Sequence, residues 1–362
     1  QRGNGAVDPY RYAALEFRAS SGSLRMGRAA QGMGQMLGPR ISMSAALPKI
    51  PFFLPMDSCP RRCVYCHQGE ITGISEVPSP DAVQQTLSRL QAPHEVCYFG
   101  GSFTCFPEER RRAYMEAVFA APERSCVRFS THPHCLSPGI LDSLASYPVS
   151  MIELGISSLD DDVLNACNRG YTGEFAIAAM RLILERGFSL GAQLMIGLPG
   201  QTEESSLNDL RRIAALRGQR EPFPVTLRIY PCLVLDKTPL AELMRKGAYA
   251  PLSLEEGILR AGRLHFEAER LGFAVQRIGL HETESLAKSV LAGPHHPAMG
   301  EMARSVAFVA SLLESSSAGP WEVERRQISL LTGHDKFGLR YMAQKTGFRL
   351  QFIEKQIRYI RS

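Results

Sequence analysis

Residues 49–66 read Lys49-Ile-Pro-Phe-Phe-Leu-Pro-Met-Asp-Ser-Cys59-Pro-Arg-Arg-Cys63-Val-Tyr-Cys66. The run 50–55 has the near-continuous apolar character of a strand buried on both faces. Three thiols follow within eight residues, in the loop after a strand, where a parallel α/β protein places its chemistry. Five further β-rich runs lie at 95–99, 127–130, 150–156, 190–196 and 225–230. Helical patterns alternate with them at 80–90, 108–120, 137–145, 174–186, 203–216 and 239–245. Ser79-Pro80-Asp81 reads as a helix start and Gly187 as a helix stop. Six strands alternating with helices predict a parallel α/β sheet with right-handed crossovers. Spacing alone leaves open whether that sheet is doubly wound or a partial or full barrel.

Working outward, three regions are expected: an extension over 1–46, the core over 47–250, and a C-terminal extension over 251–362 with a basic tail. Residues 1–46 hold seven glycines and four methionines with no sustained period, and a short helix is conceivable at 10–17. Their Arg-rich, acid-poor character resembles a transit peptide, while a loosely ordered extension is the plainer reading. The chain opens on Gln1, so the native start is expected upstream. In the last region, 253–271 reads as a long helix, 274–278 as a strand, 293–299 as a Pro/His loop and 303–315 as a helix, with a Ser/Gly linker at 315–320.

Composition bounds the function. The chain has 362 residues, 44% apolar and 21% charged, an ordinary globular balance. No window approaches 18 uninterrupted apolar residues, which excludes a spanning helix of that kind. The net charge of +5 is uneven: residues 1–49 and 321–362 each carry +5, and the middle carries −5. Nine cysteines, an odd number in a long chain, argue against a secreted disulfide framework. The clustered three read as metal ligands in a reduced, cytoplasmic compartment. The scattered six read as small buried hydrophobes.

Three thiolates this close can hold three irons of a 4Fe–4S cube. With no fourth protein ligand, one iron stays open, by the logic that separates catalytic from structural metal sites. An open iron can take the amino and carboxylate groups of S-adenosylmethionine (SAM), whose reductive cleavage yields a 5′-deoxyadenosyl radical. A zinc site is the competing reading, but zinc wants a fourth ligand and His67 is too close for ordinary spacing.

The cysteine spacing with Tyr65 before Cys66 resembles the radical SAM superfamily. Tyr98-Phe99-Gly100-Gly101-Ser102-Phe103-Thr104, Glu153-Leu154-Gly155-Ile156-Ser157-Ser158, Asn168-Arg169-Gly170-Tyr171-Thr172 and Met195-Ile196-Gly197-Leu198-Pro199-Gly200 follow in order. Together they resemble the elongator protein 3-like branch, over about residues 49–235. Arg228-Ile229-Tyr230-Pro231 and residues 276–297 are similar to the extension of uncharacterised bacterial members. The resemblance implies a partial (β/α)6 barrel of the TIM type, open at one side, a 4Fe–4S cluster on Cys59, Cys63 and Cys66, SAM, and a flavodoxin- or ferredoxin-like reductase. Two departures stand out. Only about 110 residues follow the core, with no recognisable acetyl-coenzyme A loop. Ser157 stands where many relatives have Gln.

The resemblance implies that Gly100, Gly101 and Ser102 receive the methionyl amino group. Glycines there let backbone approach a ligand, or simply make a tight strand exit. Tyr65 is expected over the adenine, or as plain packing. Glu153, mid-strand in an apolar run, needs a partner: ribose hydroxyls, or a nearby Arg. Arg169 and Arg228 are candidates for the methionyl carboxylate or a substrate anion through a bidentate fork, or for structural ion pairs. Gln193, Ile196 and Gly197 are expected at the adenine pocket, and Ser157 at a cofactor contact. His132 and His134 follow the third strand at the expected active face, with catalysis and plain capping both open; His281, His295 and His296 are weaker.

Three functions compete. One is a radical SAM enzyme that modifies tRNA, other RNA or a nucleotide-like substrate. A second is a small-molecule or tetrapyrrole enzyme resembling anaerobic coproporphyrinogen oxidase, against which Gly100-Gly101-Ser102-Phe103 argues. A third is a non-enzymatic iron–sulfur or zinc RNA-binding module. The tail carries Arg325, Arg326, Lys336, Arg340, Lys345, Arg349, Lys355, Arg358 and Arg361, with Tyr341, Phe348, Phe352 and Tyr359 interleaved. Such a mixture suits phosphates and unpaired bases. The alternation at 348–353 also reads as a half-buried strand.

Overall fold

The computed structural model describes residues 47–360 except 55–57, 75 and 219–224. The extension 1–46, with the helix expected at 10–17, lies outside the described residues, as does Arg361. The strands are β1 (Lys49–Phe53), β2 (Glu95–Phe99), β3 (Cys126–Thr131), β4 (Val149–Ser157), β5 (Leu190–Ile196), β6 (Val225–Pro231), β7 (Val234–Leu235), β8 (Ala274–Ile278), β9 (Val290–Ala292), β10 (Trp321–Glu324) and β11 (Ile357–Ile360). In the core the helices are α1 (Gln68–Thr72), α2 (Pro80–Leu87), α3 (Glu108–Ala117), α4 (Pro138–Leu144), α5 (Asp161–Ala166), α6 (Gly173–Glu185), α7 (Glu203–Ala214) and α8 (Pro239–Arg245). Beyond it lie α9 (Leu254–Arg270), α10 (Glu284–Ser289), α11 (Met299–Ser315), α12 (Ile328–Thr332), α13 (Phe337–Thr346) and α14 (Leu350–Gln356).

Seven parallel strands form one sheet in the order β1-β2-β3-β4-β5-β6-β8. Alternation along each strand sorts the side chains. Val127 and Phe129, Ile152 and Leu154, Leu194 and Ile196 face the helices in one continuous core. Arg128, Glu153, Gln193 and Arg228 face the other way and meet. Arg128 Nη1 on β3 reaches Gln276 Oε1 on β8 at 2.7 Å, although three strands lie between them in the sheet. Only a curled sheet permits that contact, so the sheet is a partial barrel with a polar interior. Its edges, β1 and β8, are not paired to each other. The gap is spanned by side chains: Ser285 Oγ on α10 donates to Glu70 Oε2 on α1 at 2.5 Å, and Thr283 Oγ1 to the Ile71 carbonyl at 3.5 Å.

Three expectations need correction. The sheet has seven strands rather than six, the seventh, β8, coming from the stretch expected as the C-terminal extension. Residues 348–353 are not a strand: Arg349 precedes helix α14, whose Ile353 is buried in a satellite core with Trp321, Leu339 and Met342. Cys105 and Cys135 are not lone hydrophobes; they form a disulfide between the loops after β2 and β3. Cys97, Cys126, Cys167 and Cys232 are buried as expected. Among the described residues no helix is long and apolar enough to cross a membrane.

Candidate functional site

The thiol loop sits at the C-terminal end of β1, clamped from three sides. The Val64 N–H donates to the Cys167 carbonyl at 3.2 Å, and Asn168 Nδ2 to the Arg62 carbonyl at 2.9 Å. The Leu240 N–H at the start of α8 donates to the Val64 carbonyl at 2.9 Å. Gly170, at φ +77°, lies under Arg61 so closely that a Cβ there would fall 2.2 Å from Arg61 Nε. Inside the loop the Cys66 N–H donates to the Cys63 carbonyl at 3.1 Å.

The glycine loop after β2 meets the thiols. Gly100 turns at φ +96° against Gln68 and Leu54. The Ser102 carbonyl accepts from Ser58 Oγ at 2.8 Å, and its hydroxyl lies 3.4 Å from Cys59 Sγ. Arg169 closes the other side. Its Nη1 donates to Cys63 Sγ at 2.9 Å, while Nε and Nη2 engage the Tyr171 hydroxyl and Nη2 the Gly155 carbonyl. Its charge is thus directed at a thiol.

Burial pushes the Cys66 thiol up to about 12, with Cys63 and Cys59 beside it adding to the rise. Burial raises Cys59 as well. Deprotonating all three gathers negative charge that a polycationic centre relieves. Among the described residues no three His, Cys, Asp or Glu side chains converge to hold a single metal ion. A cube presents each thiolate with its own iron, so its ligands need not meet at a point. The donor set, three thiols of one short loop, fits a three-cysteine cluster.

Other expected residues are placed differently. Tyr65 donates or accepts at Ser157 Oγ, 2.7 Å away, so the two are partners. Ser157 sits at φ +68° beside a register shift in β4, a rare backbone state for a side-chain-bearing residue. Glu153 is fully buried and bound by Arg128 at 3.1 Å, Arg228 at 2.5 Å and Gln193 at 2.8 Å. In this arrangement it is the ion-pair partner of Arg128 and Arg228. Arg228 and Gln193 belong to the same network. Strand alternation turns the Ile196 side chain into the helix-facing core, 1% exposed. Gly197 accepts from the Tyr249 hydroxyl at 2.6 Å and lines a cavity of about 220 Å³ with Leu252 and Arg260.

His132 is buried at the end of β3, and His134 is exposed next to it. Burial first, then Arg169 and His134, bring the His132 imidazole down to about 2, so it is neutral at physiological pH. Its Nδ1 accepts from the His134 N–H at 3.2 Å, which puts the proton on Nε2, a buried donor with no partner among the described residues. Sequence reading missed Arg128, which links Glu95, Glu153 and Gln276. The available signal was a charged residue inside the apolar run 126–131.

The model of the radical SAM superfamily matches residues 53–213, and that of the radical SAM C-terminal domain matches 224–307. A tRNA uridine(34) acetyltransferase from Methanocaldococcus infernus is 30% identical over 128 residues, covering 35% of this chain and 23% of that protein. Protein YhcC of Escherichia coli is 25% identical over 225 residues, covering 57% of this chain and 70% of that one. The chain thus spans under a quarter of the first relative's length. The solved structure of the archaeal Elp3 from Methanocaldococcus infernus superposes at a TM-score of 0.54 with 18% identity, covering 74% of this chain and 62% of that one, a likeness of fold.

Proposed function

The chain belongs to the radical SAM superfamily, in its elongator protein 3-like branch, and from that premise we propose that Cys59, Cys63 and Cys66 hold three irons of the family's 4Fe–4S cluster for SAM-dependent modification of an RNA substrate. When bound, cluster and SAM supply one-electron cleavage of the sulfonium and a 5′-deoxyadenosyl radical. The residues do the rest. Arg169 stabilises the Cys63 thiolate. Gly100 and Gly101 let backbone carbonyls approach the methionyl amino group, with Ser102 beside them. Tyr65 and Ser157 brace the thiol loop against β4. His132 offers a neutral N–H to a ligand acceptor. A flavodoxin- or ferredoxin-like protein delivers the electron.

The observation that carries the reading is the seating of the thiol loop between the Gly100–Ser102 turn and Arg169. RNA as substrate is supported by the named relative, a tRNA-modifying protein, and by the tail. Phe352 and Tyr359 are exposed, near in sequence to Arg349, Lys355 and Arg358, none of which has an acidic partner among the described residues. Anaerobic reconstitution is expected to give about four irons per chain. Dithionite with SAM should then release 5′-deoxyadenosine, and Cys63→Ala should abolish both. Fractionated RNA, but not small metabolites, should stimulate release. A colourless protein that leaves SAM intact would overturn the reading.

A further inference from the structure

Strands β6 and β8 lose register between Leu227 and Arg228: Leu227 pairs with Val275, but Arg228 pairs with Arg277. A bulge of this kind re-aims a side chain. Gln276 reaches Arg128 inside the barrel, and Arg277 is brought level with Arg228, whose guanidinium lies inside as well. Arg277 is half-buried, and its Nε donates to the Gly279 carbonyl at 3.0 Å, which aims the head group toward the mouth. Its field is felt at the Tyr230 hydroxyl, which burial pushes up while Arg228 and Arg277 pull it down.

The charges do not balance. Inside the barrel, Glu95 and Glu153 are matched by Arg128 and Arg228. Arg277, half-buried, adds a third guanidinium that forms no ion pair with a carboxylate among the described residues. Arg228 Nε is buried with no acceptor among the described residues. Buried donors are almost always satisfied, so the unpaired Arg228 Nε beside a guanidinium with no carboxylate partner describes the outline of a missing oxyanion. Because β8 is a sheet edge, such a group can enter through the open side.

We propose that Arg277, with Arg228 Nε and the Tyr230 hydroxyl, seats a phosphate of the substrate at the open side of the barrel. This rests on the reading of the substrate as nucleotide-containing. The test uses the full, cluster-loaded chain under anaerobic conditions with three probes: inorganic pyrophosphate, a fluorescein-labelled RNA stem–loop, and SAM. Arg277→Gln is expected to weaken pyrophosphate and RNA binding about tenfold, the loss of one charge-assisted fork, with SAM affinity held. Arg277→Lys, which keeps the charge without the fork, should be intermediate and keeps the test alive if the Gln variant fails to fold. Equal pyrophosphate affinity in the wild type and both variants overturns the seat. So does a loss of SAM affinity as large as that of pyrophosphate, which would assign the guanidinium to the methionyl carboxylate. If pyrophosphate depends on Arg277 while wild-type chain binds no RNA, the seat stands and the RNA reading falls in favour of a small phosphorylated substrate.

Discussion

At the scale of single residues, the site is built from side chains whose charge state burial has fixed. His132 is the clearest case. Folded, it stays neutral down to about pH 2; unfolded, it takes a proton near pH 6.5. The unfolded state therefore binds more protons as pH falls below 6.5, and stability drops through that window. One such group costs up to about 1.4 kcal/mol for each pH unit between the two values. Urea unfolding at pH 7 and pH 5 should show His132→Asn losing distinctly less stability on acidification than the wild type. His265, brought down to about 4 by burial and then Arg304, contributes the same sign over a narrower window. An unchanged pH slope in His132→Asn would mean that the imidazole is not held neutral.

At the scale of elements, α9 and α11 pack closely. A Cβ on Gly262 would lie 2.5 Å from Val306 Cβ and 2.8 Å from the Ala303 carbonyl oxygen. Glycine inside a helix costs up to about 1 kcal/mol against alanine, but prising two packed helices apart costs about 1–3 kcal/mol. Gly262→Ala is therefore expected to destabilise despite its better helix propensity, as read by thermal unfolding. Gly139→Ala in α4, where a Cβ meets nothing within 4 Å, should be neutral or stabilising. The strands of the core were legible because their apolar runs and flanking caps agree, as with Ser253 and Glu256, which form the expected start of α9. The thiol site was legible because its spacing is local. What escaped were long-range pairings. Arg128, Gln276 and Arg277 converge only through curvature and a bulge, and no pattern in one strand announces its register with another. The helix at 350–356 escaped because alternation over six residues suits a strand as well as a short amphipathic turn.

At the scale of the whole molecule, the fold is a barrel that never closes. The backbone hydrogen bonds that hold every other strand pair are missing between β1 and β8, and two hydroxyl contacts of α10 with α1 stand in their place. Side-chain bonds of this kind are each worth about 1 kcal/mol, far below a strand ladder. Native-state hydrogen exchange should find the amides of β1 and β8 less protected than those of β4 and β5. Ser285→Ala should speed exchange at those two edges while leaving the central strands slow. Uniform protection across all seven strands would contradict this. The same joint ties the helix that follows the thiols to the segment that follows Arg277. A latch placed there makes the two free edges one mechanical unit, since a load on the wall that carries Arg277 passes through Ser285 and Glu70 to the helix that follows the thiols.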